Sequence, residues 1–358
     1  MSLPTTSKVF ILKRSIDDSG VKASGPDSHF TLTTQPVTLP SPETPNLILV
    51  QVLAISNDPS QILWIRGGAP DLPIVGEADP VKTYGIGRVL AVGKNVGKFK
   101  TGDLVFDLMV WAEYYTYEPT DRAYVVNGGR PLEFPLSTYL GILSTSGLTT
   151  YVGLKNVLEF KPGQSLIVSG AAGSVGHVVV QYAKNVLGAS KVVAIAGSAD
   201  KCAWLEKHGA DEAVNYKSAE FTNELAEAVG PDGADAFFDN VAGRVYDAVL
   251  PNMKFHGKVA LCGAISQYNS KGTYNADTHM VVLIRRLHVI GFTLWDHYDE
   301  TPNFLKECTD AIKSGKIWIG EGTETVVDLR GKFEGIPKTW AGLFQGKNNG
   351  KLVSILAD

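Results

Sequence analysis

The chain has 358 residues, 44% of them apolar and 20% charged, with a formal net charge of −4. That length suits two domains, each able to bury a core of its own, and the composition excludes a disordered polymer. No block of like charge stands ready for nucleic acid or an anionic membrane, so the expected partner is a small molecule.

The N-terminal stretch offers one apolar run, Val9 to Leu12, too short for a signal-peptide core or a membrane span. Up to about residue 135, short apolar strands alternate with Gly and Pro: LILVQVLAI (47–55), YGIGRVLAVG (84–93) and DLVFDLMV (103–110). This texture predicts a β-rich, barrel-like or sandwich domain. From Leu140 the pattern changes. SLIVSG (165–170), KVVAIAG (191–197), AFFDNV (236–241) and KVALCG (258–263) read as buried strands, with helical patterns at 174–188 and 199–209. Strand–helix alternation of that kind predicts a doubly wound parallel sheet. HVIGFTLWD (288–296) reads as a late strand of the same domain. Beyond about Gly315 the strand-like texture returns, and KLVSILA (351–357) is placed to rejoin the first domain. The expected organisation is α/β, with a Rossmann domain over 136–314 and a β-rich domain from 1–135 and 315–358.

The strongest local signal is Gly170-Ala-Ala-Gly173-Ser174-Val175-Gly176, set between an apolar strand and an amphipathic helix. Glycines let the backbone approach a pyrophosphate, the helix N-terminus supplies N–H donors, and Gly176 permits tight helix–strand packing. A bare glycine pattern also serves plain turns, so it is the strand–turn–helix context that selects dinucleotide binding. An NAD site places an acid roughly 20 residues on, where it accepts from the ribose 2′-hydroxyl. Here the second strand ends Ala196-Gly197-Ser198, with no carboxylate, and Lys201 follows. Taken alone, Lys201 reads as a solvated lysine. Beside a missing acid, a hydroxyl and an ammonium suit a 2′-phosphate, and the expected cofactor is NADPH.

An ordered series of motifs spans most of the chain: YGIGRVL (84–90), GDLVF (102–106), WAEY (111–114), YLGIL (139–143) and GLTTY (147–151). It continues with GAAGSVG (170–176), AVNYK (213–217), FDNVAG (238–243), GAISQYN (263–269) and GLFQGKNNGKLV (342–353). The series resembles the medium-chain dehydrogenase/reductase superfamily, in the branch of leukotriene B4 12-hydroxydehydrogenase, prostaglandin reductases and plant alkenal double-bond reductases. The resemblance implies a GroES-like catalytic domain built from both chain ends around a central Rossmann domain. It implies that Lys201 and Tyr216 grip the adenosine 2′-phosphate and that Asn240 lies near the adenine–pyrophosphate region. Cys262, Gly263, Ala264, Ile265 and Ser266, with Phe292, Thr293 and Leu294, would flank the nicotinamide, and Asn348 would reach the cofactor from the C-terminal segment. Tyr216 as a packing residue, and Asn240 and Asn348 as turn caps, stay open. Two departures bear on substrate size: Asp58-Pro59-Ser60-Gln61 where relatives commonly read Asp-Pro-Tyr-Met, and Ala54 where some plant members place a tyrosine.

Three cysteines, Cys202, Cys262 and Cys308, form no CxxC pair, which points to a reducing, cytoplasmic compartment. The seven histidines are scattered and no cluster has metal-ligand spacing, so no metal site is expected. Oxidation of a simple alcohol then lacks its Lewis acid. A conjugated enal or enone is different, because hydride added to its β-carbon leaves an enolate that one hydroxyl donor stabilises. The resemblance implies that either Tyr268 or Tyr84 could donate; Tyr268, on the loop after KVALCG at the carboxyl end of the sheet, is the expected donor, and Tyr84 is expected to help position substrate. Either also serves as a packing aromatic. The expected activity is NADPH-dependent reduction of the C=C bond of α,β-unsaturated aldehydes or ketones. The expected assembly is a homodimer, because an exposed strand edge at 288–296 invites pairing. A quinone-type reductase, a pathway-specific enoyl reductase and a non-enzymatic NADPH-binding protein stay open as alternatives.

Overall fold

The computed structural model describes residues 3–17, 19–67, 73–268 and 276–358. Asn269, last of the GAISQYN series, lies outside the described residues. The chain divides into two units: Met1–Leu140, Val326–Lys347 and Leu352–Asp358, and Gly141–Thr325 with Asn348–Lys351.

In chain order the elements begin β1 (Thr6–Leu12), β2 (Phe30–Pro36), β3 (Ile48–Asn57), α1 (Gln61–Arg66), β4 (Lys82–Val92), β5 (Leu104–Val110), β6 (Tyr114–Tyr117) and β7 (Tyr124–Val125). Next come α2 (Thr145–Val152), β8 (Ser165–Val168), α3 (Gly176–Asn185), β9 (Lys191–Ala196), α4 (Ala199–Lys207), β10 (Glu212–Asn215) and α5 (Phe221–Val229). β11 (Ala234–Asp239), α6 (Gly243–Val249), β12 (Met253–Leu261), α7 (Ile265–Tyr268), α8 (Ala276–Arg285), β13 (His288–Gly291) and α9 (Thr301–Lys313) follow. β14 (Glu324–Asp328), α10 (Ile336–Ala341) and β15 (Lys351–Ile355) come last.

The first unit carries an antiparallel β1–β2 ribbon and a sheet ordered β14-β15-β3-β4-β5-β7, with β6 paired to β3. β15 returns to β3 in the register Leu352↔Asn57 to Ile355↔Ala54. Its core is aromatic: Trp111 packs against Phe30 at 5.2 Å and Trp340 at 5.9 Å, and Phe10 stacks on Phe333 at 5.6 Å.

The second unit holds a parallel sheet ordered β10-β9-β8-β11-β12-β13. Its strands are runs of aliphatic and aromatic residues because both faces are covered. Ile167, Val193, Ile195, Phe237 and Val259 form one core with Phe221 and Leu225 of α5 and Val245 and Val249 of α6. The winding reverses between β8 and β11, and ligands in such sheets lie outside the carboxyl ends at that switch point. The sequence reading overran several strands. β8 stops at Val168 and β9 at Ala196, because Ser169-Gly170 and Gly197-Ser198 turn away from the ladder. The 288–296 strand is corrected to His288–Gly291, since the Thr293 side chain accepts from Trp295 N and caps a 3-10 segment over Leu294–Glu300.

Candidate functional site

The glycine loop joins β8 to α3. His177 N donates to Gly173 O at 3.1 Å and Val179 N to Val175 O at 3.0 Å, so the helical ladder starts there. The N–H groups ahead of it form the unpaired, positive end that every helix presents. Gly176 is required by close approach, as a Cβ would lie 2.4 Å from Gly170 O and 2.6 Å from Ala171 Cα. α2 braces the loop from one side. Ser146 Oγ lies 2.6 Å from Ser174 Oγ, and Thr150 Oγ1 donates to Val175 O at 3.4 Å. The C-terminal segment closes on it too, with Gly350 N donating to Ala172 O at 2.8 Å. The buried His177 ring sets Nδ1 2.8 Å from Gly173 O, and burial holds its pKa down at about 4, so it is neutral under the loop.

The end of β9 supplies the second group of residues. Asn215 of β10 pairs opposite Ala196, and Tyr216 N donates to Ala196 O at 3.0 Å. This register delivers Tyr216 beside Gly197, where a Cβ would meet the ring at 2.9 Å. Ser198 caps α4 by accepting from Lys201 N at 3.4 Å. Lys201 Nζ donates to Asn348 O at 2.9 Å. Burial, then the charge of Lys217, holds the Lys201 ammonium below its ordinary pKa. A hydroxyl and an ammonium group at a strand end without a carboxylate fit the phosphate of a 2′-phosphorylated adenosine. Asn348, expected to reach the cofactor, directs its side-chain Nδ2 to Gly350 O at 2.8 Å and offers its carbonyl to Lys201.

The third group lies at the carboxyl ends of β11 and β12. Asp239 is fully buried and accepts from Ser169 Oγ at 2.6 Å, Val241 N at 3.0 Å and Ala242 N at 3.1 Å. These donors hold Ala242 at φ 62, a conformation that a β-carbon disfavours. Burial still outweighs them and raises the pKa of Asp239. Asn240 ties β11 to β8 across the switch point, its N donating to Ser169 Oγ and its Nδ2 to Ser169 O, both at 2.8 Å. Cys262 N and Gly263 N donate to Asp239 O at 2.8 and 3.1 Å, and Ser266 Oγ donates to Val241 O at 2.7 Å. α7 is thereby anchored with Tyr268 on its last position. The Tyr268 hydroxyl lies 3.1 Å from the Cβ position of Gly263. Burial raises its pKa, so the phenol is protonated at neutral pH. Burial and Asp239 push the Cys262 thiol up to about 12, which leaves it without thiolate character. Phe292, beyond β13, packs edge-on against Phe238 at 6.0 Å.

Tyr84 belongs to the first unit. Its buried ring stacks on Phe106 at 5.6 Å and meets Trp64 edge-on at 5.9 Å. Of the departures noted in the sequence, Gln61 is buried and structural: Oε1 accepts from Asp58 N at 2.9 Å and Nε2 donates to Lys82 O at 2.8 Å. Ala54 is fully buried in β3. Sequence reasoning missed Ser146, Thr150, Ser169 and Asp239. The hydroxyl-rich run over 145–150 and the Asp-Asn pair were the available signals, but which partner each meets depends on strand order.

Residues 174–310 match the family model described as zinc-binding dehydrogenase. Among the described residues, no group of three His, Cys, Asp or Glu is placed to hold a metal ion. No described helix is long and apolar enough to cross a membrane. The chain is 36% identical over 340 residues to the NADP(+)-dependent 2-alkenal reductase of Nicotiana tabacum, covering 92% of this chain and 93% of that protein. It is 31% identical to (+)-pulegone reductase of Mentha piperita, covering 95% and 97%, and 34% identical to prostaglandin reductase 1 of Bos taurus, covering 91% and 94%. Among solved structures, CurA of Vibrio vulnificus in complex with NADPH superimposes with a TM-score of 0.86 at 28% identity, covering 98% of this chain and 99% of that one. The quinone oxidoreductase of Escherichia coli, at 21% identity and a TM-score of 0.75, shares the fold.

Proposed function

The chain belongs to the medium-chain dehydrogenase/reductase family, in its alkenal and prostaglandin reductase branch, and from that premise we propose that it reduces the C=C bond of α,β-unsaturated aldehydes and ketones. Its cofactor is NADPH. When bound, NADPH supplies the hydride that adds to the substrate β-carbon. The observation that carries the reading is Tyr268, a protonated phenol anchored through α7 at the carboxyl end of the parallel sheet.

As the β-carbon is reduced, charge grows on the carbonyl oxygen, and a donor aimed there stabilises it in the manner of an oxyanion hole. Tyr268 is assigned that role. Asn240 and the backbone of 262–266 hold its helical turn, and Lys201 and Tyr216 fix the adenosine end of the cofactor. Tyr84, its ring immobilised between Phe106 and Trp64, is assigned to positioning substrate. No metal ion takes part in this scheme. The proposed assembly is a cytoplasmic homodimer. β13 edges the parallel sheet, and Met280, Leu283 and Ile284 of the preceding α8 are 52%, 67% and 58% exposed, an apolar surface that a second copy would cover.

The test is Tyr268→Phe, which deletes the hydroxyl and keeps the ring. Turnover of an enone is expected to fall by roughly 10²–10³ with little change in NADPH affinity, the usual loss for one oxyanion donor. Turnover within about threefold of the parent, far less than that loss, would make Tyr268 a packing residue and refute the assignment.

A further inference from the structure

We infer that Lys217 is a second phosphate-gripping cation and, together with Lys201, sets the preference of this chain for a 2′-phosphorylated dinucleotide. The inference rests on the NADPH reading of the site and adds a residue to it.

Lys217 follows Tyr216 where β10 ends. Its backbone is pinned by Asn215, whose Oδ1 accepts from Lys217 N at 3.0 Å and whose carbonyl accepts from Ser218 N at 2.9 Å. Its ammonium lies 5.8 Å from the centre of the Tyr216 ring, the same ring that closes over Gly197 at the end of β9. Lys201 approaches from the first turn of α4 and is steadied by Asn348 O. After burial, Lys217 is the charge that holds the Lys201 ammonium below its ordinary pKa. Three carboxylates of this surface accept from neutral donors. Glu224 accepts from Ser218 Oγ at 2.7 Å, Glu220 from Asn223 at 2.9 Å, and Glu206 from Ala213 N at 3.2 Å.

Two like charges at this strand end oppose one another. A dianionic phosphate between them turns that repulsion into attraction, while a ribose hydroxyl does not. Charge at position 217 therefore discriminates at the 2′ position and leaves recognition of the rest of the dinucleotide unchanged.

The experiment measures direct binding of NADPH, NADH, adenosine 2′,5′-bisphosphate and adenosine 5′-monophosphate to the parent, Lys217→Ala, Lys217→Arg and Lys201→Ala, with the unfolding midpoint of each unliganded protein. Lys217→Ala is expected to weaken the two 2′-phosphorylated ligands about tenfold, the scale of one charge-assisted contact at an exposed site, and to leave the other two unchanged. Lys217→Arg restores binding, and the unliganded midpoint of Lys217→Ala does not fall. If Lys217→Ala keeps the NADPH-to-NADH ratio within about twofold while Lys201→Ala collapses it, the inference fails and the NADPH reading of this strand end stands. If neither variant changes the ratio, the reading of this strand end fails as well. Equal weakening of NADPH and NADH by Lys217→Ala would also overturn the inference, since a 2′-specific cation has no effect on NADH.

Discussion

Replacing Gly176 with alanine puts the packing account of the phosphate loop under the sharpest test. The added methyl would meet Gly170 O at 2.4 Å and Ala171 Cα at 2.6 Å, both backbone atoms that no rotamer change can move. Reaching a contact of 3.0 Å requires the start of α3 to retreat by about 0.6 Å from the loop it packs on. Overpacking of that kind costs about 1–3 kcal/mol. For a cooperative unit of this size, each kcal/mol lowers the unfolding midpoint by roughly 2–4 °C. The same retreat draws the helix N–H groups away from a pyrophosphate, and weakening one or two such bonds lowers NADPH affinity about tenfold. The assay is NADPH binding by fluorescence titration alongside thermal unfolding. Gly97→Ala serves as control, because a Cβ there meets nothing within 4 Å. If Gly176→Ala binds NADPH within about twofold of the parent with an unchanged midpoint, the glycine is a plain turn residue and the close-approach argument is wrong.

Lys201→Ala is expected to weaken NADPH by about 1–3 kcal/mol while sparing NADH, and equal parent affinities for the two cofactors would contradict the 2′-phosphate assignment. Activity should survive prolonged chelation with no stoichiometric zinc in the purified protein, whereas loss restored by zinc would overturn the hydroxyl-donor mechanism. Light scattering at micromolar concentration should return a dimer mass, and a monomer would leave the β13 edge and the α8 surface without the partner assigned to them. Burial raises the Tyr268 phenol above its usual value of 10.0. Its contribution to stability is thus complete below the unfolded value and lost as pH rises through the folded one. Enone turnover should hold past pH 10 and fall only above it, and an alkaline limb that persists unchanged in Tyr268→Phe would assign it to another group.

What the sequence determined by itself was local. A glycine loop between an apolar strand and an amphipathic helix is contiguous in the chain, so its pattern already carries its geometry. The missing acid after KVVAIAG likewise lies a fixed distance beyond the loop, which made the NADPH preference legible. The alternation of strands and helices told the parallel sheet from the β-rich texture, though not where each strand leaves its ladder. The 288–296 run shows why, since the Thr293 hydroxyl ends it by capping a turn that hydrophobicity does not record. Strand order was decided by the tertiary structure. Placing β11 against β8 is what brings Asp239 to Ser169, residues 70 apart in the chain, and lets one buried carboxylate organise the 241–242 turn, whose Val241 carbonyl accepts from Ser266 of α7. The return of residues 348–351 to the second unit gave Lys201 a carbonyl partner 147 positions away. Tyr268 was legible as a loop tyrosine protonated at neutral pH, and only the tertiary structure supplied the partial burial that raises its pKa further. Burial, like the repulsion between Lys201 and Lys217, is a sum over neighbours drawn from several strands, and no window of sequence contains them.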